Sequence, residues 1–153
     1  MATLINNKKI IDNLRDVIPF PYTEYDAENF IYAHENERPI LTFAIEYEKN
    51  FCGVIGLVRQ TDVYRFTAEI GYWIGEPYWN KEIASQAVRL ISTYAFNELN
   101  LIRIHAGIFE YNNASMRVLE KCGYEKDGIF KKSVIKNGLI WDEHRYSLVN
   151  NKS

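Results

Sequence analysis

Glu69-Ile70-Gly71-Tyr72-Trp73-Ile74-Gly75-Glu76-Pro77-Tyr78-Trp79-Asn80-Lys81-Glu82-Ile83-Ala84 opens as a strand and closes as the start of a helix. Aromatic and β-branched residues fill Ala68–Ile74, and Gly75 with Pro77 punctuates its end. From Lys81 to about Leu99, apolar residues return at Ile83, Ala84, Ala87, Val88, Ile91, Tyr94 and Ala95, which is one face of a long helix. A strand that turns into a helix gathers unpaired backbone N–H groups and the positive end of a helix dipole at one place. That place suits a phosphate.

Working outward, spacing at Ile10, Ile11, Leu14 and Val17 predicts a helix over 8–18 that Pro19-Phe20-Pro21 breaks. Thr23 with Asp26 caps a second helix running to about Glu37, with Phe30 and Ile31 on its inner side. Ile40–Tyr47 and Cys52–Arg59 read as strands joined by a polar turn. Downstream come a strand at Arg103–Ile108, a helix at Asn113–Cys122 ended by Gly123, and a hairpin about Asn137-Gly138. Tyr124–Ile135 holds two short strands or one bent strand, and Leu139–Leu148 returns. This order predicts an α/β (α+β) chain with a mixed sheet rather than a doubly wound one.

The 153 residues fit one domain, 1–153. A net charge of −2 gives no footprint for nucleic acid. No apolar run spans a bilayer and the first residues lack a signal-peptide pattern, so a cytoplasmic protein without a membrane partner is expected. Cys52 and Cys122 form no ligand pair, so no metal is expected, and both read as reduced thiols.

A second motif, Asn112-Asn113-Ala114-Ser115-Met116-Arg117-Val118-Leu119-Glu120-Lys121-Cys122-Gly123-Tyr124, completes a pattern. With the first, it resembles the GNAT acetyltransferase superfamily, and more closely its ribosomal-protein N-acetyltransferase-like (RimJ/RimL) branch. The resemblance covers nearly the whole chain and implies a mostly antiparallel sheet flanked by helices. It implies transfer of an acetyl group from acetyl-CoA to a primary amine, a peptide N-terminus or small amine, by direct attack in a ternary complex.

The resemblance assigns pantetheine pairing to the backbone of Ile70, Tyr72, Trp73 and Ile74. It assigns pyrophosphate binding to the amides of Asn80, Lys81, Glu82, Ile83 and Ala84. Glu82 stands where the pattern has glycine, and it brings bulk and negative charge toward an anion. Taken alone, Lys81 and Glu82 also read as a solvated first turn. Glu69 matches a carboxylate of the branch that takes the amine's proton; alone it reads as a strand-end glutamate. Leu119 replaces the tyrosine acid of many relatives, leaving Ser115 to stabilise the thiolate. Asn112 caps its helix or binds pantetheine. His34, His105 and His144 read as packing or surface residues. The rival reading is a degenerate, non-catalytic binding module.

Seven acids lie between Glu24 and Glu48 (Glu24, Asp26, Glu28, Glu35, Glu37, Glu46, Glu48), a bias toward a cationic acceptor. The stretch before Pro19 is too short for the first strand of the relatives. The resulting sheet edge is expected to be covered by a second copy, as a homo-oligomer, or by Met1–Asn7.

Overall fold

The protein is described here by a computed structural model covering residues 1–152. Two short helical turns, α1 (Ala2–Ile5) and α2 (Lys8–Ile11), lead to α3 (Glu24–His34). Strands β1 (Thr42–Tyr47), β2 (Asn50–Arg59) and β3 (Thr67–Ile74) follow, then α4 (Ile83–Asn97), β4 (Arg103–Phe109), α5 (Asn113–Lys121), β5 (Glu125–Lys136) and β6 (Leu139–Val149). The six strands form one sheet in the order β1-β2-β3-β4-β6-β5, with a single parallel neighbour pair, β3 and β4. The mixed, mostly antiparallel sheet flanked by helices is the architecture expected from the sequence.

Period-two alternation sorts the strands into two faces. Ile55, Leu57, Ala68, Ile70, Ile104, Ala106 and Tyr146 join Val88, Ile91 and Ala95 of α4 and Leu119 of α5 in the larger core. The opposite face carries a smaller core in which Trp73 meets Ile5, Ile10, Ile11, Tyr22 and Ala27. Gly53 lets β2 and β3 lie this close: a Cβ there would sit 2.1 Å from the Trp73 carbonyl oxygen. Asn137 and Gly138 both take positive φ, as the two-residue hairpin requires. β5 is one strand with irregularities at Lys126/Gly128 and Phe130/Val134, the bent-strand alternative.

Several local expectations fail. The helix predicted over 8–18 stops at Ile11, and Asn13 and Leu14 make only tight i→i−3 bonds. Asp12 bonds the Lys8 ammonium, and Tyr111 donates its hydroxyl proton to the Asp12 carbonyl, so tertiary contacts take over the chain there. Val17 is consequently 85% exposed. Ile31 is also exposed, and Ala27 is the buried residue of α3. Met1–Asn7 does not cover the edge of β1. It packs on the sheet face, with Leu4 against Gly75 and Ile5 in the core beside Trp73. The Glu37 carboxylate caps the start of β1 instead, accepting from the Leu41 and Thr42 amides at 2.9 and 3.0 Å. Ile40 therefore precedes the strand rather than opening it. Both cysteines are free thiols.

Candidate active site

β3 and β4 pair only over Thr67–Glu69 and Arg103–His105. Beyond Glu69 and His105 they diverge, and β4 continues against β6 alone. Residues 70–74 thus have a strand neighbour on one side, β2, and a gap on the other. Five strand residues give the gap a length of roughly 16 Å. Tyr72 reaches across its core side and donates its hydroxyl to the Ser115 carbonyl at 3.4 Å. Burial raises the Tyr72 hydroxyl pKa well above its ordinary value, so it stays protonated.

The turn after β3 is locked by Trp79, whose indole Nε1 donates to the Ile74 carbonyl at 2.7 Å. Asn80 and Glu82 then take left-handed φ of 59° and 60°, and α4 begins without a side-chain cap. Among the described residues, none of the amides of residues 80–85 donates an intramolecular hydrogen bond. These are the orphan donors of a helix start, the kind of backbone group that suits an anion. Lys81 lies beside them, its ammonium 5.6 Å from the Tyr47 ring centroid and 5.8 Å from that of Tyr78. The Glu82 carboxylate is held by Lys121 Nζ at 2.8 Å. That bond lowers the Glu82 pKa, and the negative charge is compensated by a neighbour 39 residues on.

At the start of α5, Asn112 accepts the Ser115 amide through Oδ1 and donates through Nδ2 to Ser115 Oγ, the latter at 3.1 Å. Asn112 is therefore the capping residue, one of the two roles the sequence leaves it, and Ser115 is not. With its oxygen already accepting, Ser115 Oγ has a proton to donate elsewhere.

On the face away from the larger core, Glu69 pairs with Arg15. His105, which the sequence pattern leaves as a packing or surface residue, lies directly opposite Glu69 at the last strand pair before the fork. Its pKa is lowered, chiefly by desolvation, with help from Arg145, Arg103 and Arg15 and against the pull of Glu69. Its Nδ1 is buried and unpartnered among the described residues. Glu143, also unforeseen, reaches from β6 over Gly107 of β4. His105, Lys121 and Glu143 were hidden because each acquires its partner through strand or helix neighbours far away in sequence. The two ends of the site are joined by β3: Glu69 at the fork, the free amides just past its far end.

The acidic bias of residues 24–48 is partly structural. Asp26 completes the capping box with Thr23, and Glu37 caps β1, so neither carboxylate is free for an acceptor. Among the described residues no cluster of metal-ligating side chains occurs, and no helix is long and apolar enough to cross a membrane.

The family model described as "Acetyltransferase (GNAT) domain" matches residues 3–125. The chain is 47% identical over 85 residues to a protein named Probable N-acetyltransferase YjcK of Bacillus subtilis (strain 168), covering 56% of this chain and 46% of that one, so it spans about half of that relative's length. It is 32% identical over 139 residues to the Uncharacterized N-acetyltransferase YoaA of the same organism, covering 82% of this chain and 78% of that one. Among solved structures, the microcin C7 self-immunity acetyltransferase MccE in complex with acetyl-CoA and AMP superposes with a TM-score of 0.80 at 28% identity, covering 97% of this chain and 84% of that one. With its forked sheet, its uncapped α4 turn and a family match over most of its length, this chain belongs to the GNAT acetyltransferase family.

Proposed function

We propose that the protein is an acetyl-CoA-dependent N-acetyltransferase acting on a primary amine, a peptide N-terminus or small amine. The observation that carries this reading is the line from the fork at Glu69 along the unpaired side of β3 to the unbonded amides at the start of α4. An extended arm bonds along the gap side of β3, where Ile70 and Tyr72 turn their backbone outward, whereas Trp73 turns its carbonyl toward Gly53 of β2 and only lines the strand. Ile74 contributes less, because its carbonyl already accepts from Trp79. The diphosphate end then meets the amides of Asn80, Lys81, Glu82, Ile83 and Ala84.

Acetyl-CoA supplies the acyl group: its carbon–sulfur bond breaks as the carbon–nitrogen bond to the amine forms. An ammonium with a pKa of about 8 to 10.4 must first lose a proton. Glu69 is our acceptor for that proton, directly or through water, with His105 beside it as a neutral imidazole able to pass the proton on. Ser115 Oγ donates to the departing sulfur, oriented by Asn112. Tyr72 holds the Ser115 carbonyl and thereby the first turn of α5.

The rival reading, a module that has lost the cofactor, rests on Glu82. Pairing with Lys121 weakens that objection. Calorimetric titration with acetyl-CoA, followed by acetylation of a panel of amines, tests the proposal. Absence of both binding and transfer would overturn it in favour of the non-catalytic module.

A further inference from the structure

On the far side of the fork from α4 lies a cavity of about 240 Å³, bounded by Arg15, Asp16, Phe109, Lys136 and Glu143 among others. Two of these residues are ions buried to a degree that ordinary surface charges do not reach. The Lys136 side chain is 5% exposed and the Glu143 side chain 8%.

Each is incompletely answered. Glu143 Oε1 accepts from Arg145 Nε at 2.5 Å, while Oε2 accepts no hydrogen bond among the described residues. Its carboxyl group lies over Gly107, where a Cβ would come within 2.6 Å of it, so the glycine is what lets this carboxylate reach toward the fork. Lys136 Nζ has one partner, Asp16 Oδ1 at 2.7 Å, and Asp16 is itself 74% exposed. Arg15 adds a second cation at the cavity wall, shared with Glu69. One cavity thus offers a carboxylate oxygen beside the fork, with two cations around it.

We infer that this cavity seats a small zwitterionic acceptor, an α-amino acid or a close analogue, with its ammonium on Glu143 and its carboxylate on Lys136 and Arg15. The inference rests on the acetyl-transfer reading and names its substrate class. Burial makes both ions strong determinants, because a desolvated charge demands a partner. A polyamine fits poorly, since its further ammonium groups meet Lys136 and Arg15 and like charges repel. A protein N-terminus fits poorly as well, since it carries no carboxylate next to its amine. Asp16 occupies the place of the acceptor's carboxylate until one arrives.

The test uses the full chain with the common α-amino acids, their carboxamides, their decarboxylated amines and spermidine. The expected result is an amino acid whose kcat/KM exceeds that of its own carboxamide by on the order of ten- to hundredfold. Lys136→Met should raise KM for that acid by a larger factor than it raises KM for the carboxamide. Asp16→Asn, at an exposed position, should do the opposite and lower KM for the acid severalfold. Thermal melts check that both variants fold. Spermidine or a decarboxylated amine matching the acid overturns the inference, as does a ratio indifferent to Lys136→Met and Asp16→Asn. Acetyl-CoA binding with no amino-acid preference sinks only this inference. No acetyl-CoA binding at all sinks the acetyl-transfer reading and this inference with it.

Discussion

Lys121, at the C-terminal end of α5, closes an ion pair on Glu82, the residue that precedes α4, with Nζ and Oε1 2.8 Å apart. Glu82 also holds a left-handed backbone, φ 60°, which a side-chain-bearing residue adopts at a cost. Two separate effects therefore meet at one residue: a backbone that favours glycine and a charge that an anion would resist. Glu82→Gly relieves the first and deletes the second. We expect the variant to melt a few degrees higher than wild type and to bind acetyl-CoA no more than about tenfold more tightly. Lys121→Met leaves the carboxylate uncompensated and should weaken acetyl-CoA binding, more at low salt than at high salt. Calorimetry at two ionic strengths reads all of this. A wild-type protein that fails to bind while Glu82→Gly binds tightly would falsify the view that Lys121 neutralises the site.

Ser115 and Asn112 are separable by experiment, because Asn112 caps α5 and Ser115 does not. Ser115→Ala removes a donor without touching the cap. It should lower kcat by about 10²-fold with little change in KM for acetyl-CoA and little change in melting temperature. Asn112→Ala should lower kcat and also destabilise the fold by about 1 kcal/mol, the usual worth of an N-cap. A Ser115→Ala protein with unaltered kcat removes Ser115 from the chemistry.

Much of this was legible in the sequence. The period-two and helical runs gave the order of elements, and the two motifs gave the family and the place of the uncapped turn before α4. What could not be read was which residues face each other across strands. His105 and Glu69 stand 36 positions apart, and only the short β3–β4 pairing makes them neighbours. The failure over 8–18 has a similar origin. Asp12 and Tyr111 are bonded across 99 residues, and that contact outweighs a helical pattern whose last members, Leu14 and Val17, never come to share a buried face.

His105 carries a pH signature of known sign. Its native pKa lies below the 6.5 of an unfolded histidine, mainly because burial disfavours the charged ring. As pH falls through 6.5, the unfolded chain takes up a proton that the native protein refuses, so stability declines on the acid side. His105→Gln should flatten that part of the stability profile. In kinetics, burial keeps the imidazole neutral to a lower pH than an ordinary histidine, so the wild-type acid limb of kcat/KM should lie on the acid side of 6.5 and should shift in His105→Gln. Glu69→Gln should lower kcat by about 10²-fold or more across the whole range. Unchanged turnover in Glu69→Gln would show that another group takes the proton.

Gly107 tests the geometry of the acceptor side without changing a charge. An alanine there places its Cβ 2.6 Å from the Glu143 carboxyl, closer than real contacts allow, and the carboxylate must swing away from the fork. Arg145, which bonds Glu143 and stacks on Phe130 with its guanidinium carbon 4.6 Å from the ring centroid, resists that movement. Part of the strain is therefore stored as lost stability, about 1–3 kcal/mol for an overpacked interior site. The rest appears as a displaced carboxylate, which should raise KM for the acceptor and leave acetyl-CoA affinity untouched, because the α4 turn lies at the other end of β3. Glu143→Gln keeps the side chain's shape and should reproduce the acceptor defect without the crowding. If Gly107→Ala binds acetyl-CoA as wild type does and also acetylates its acceptor with an unaltered KM, Glu143 has no part in seating the amine.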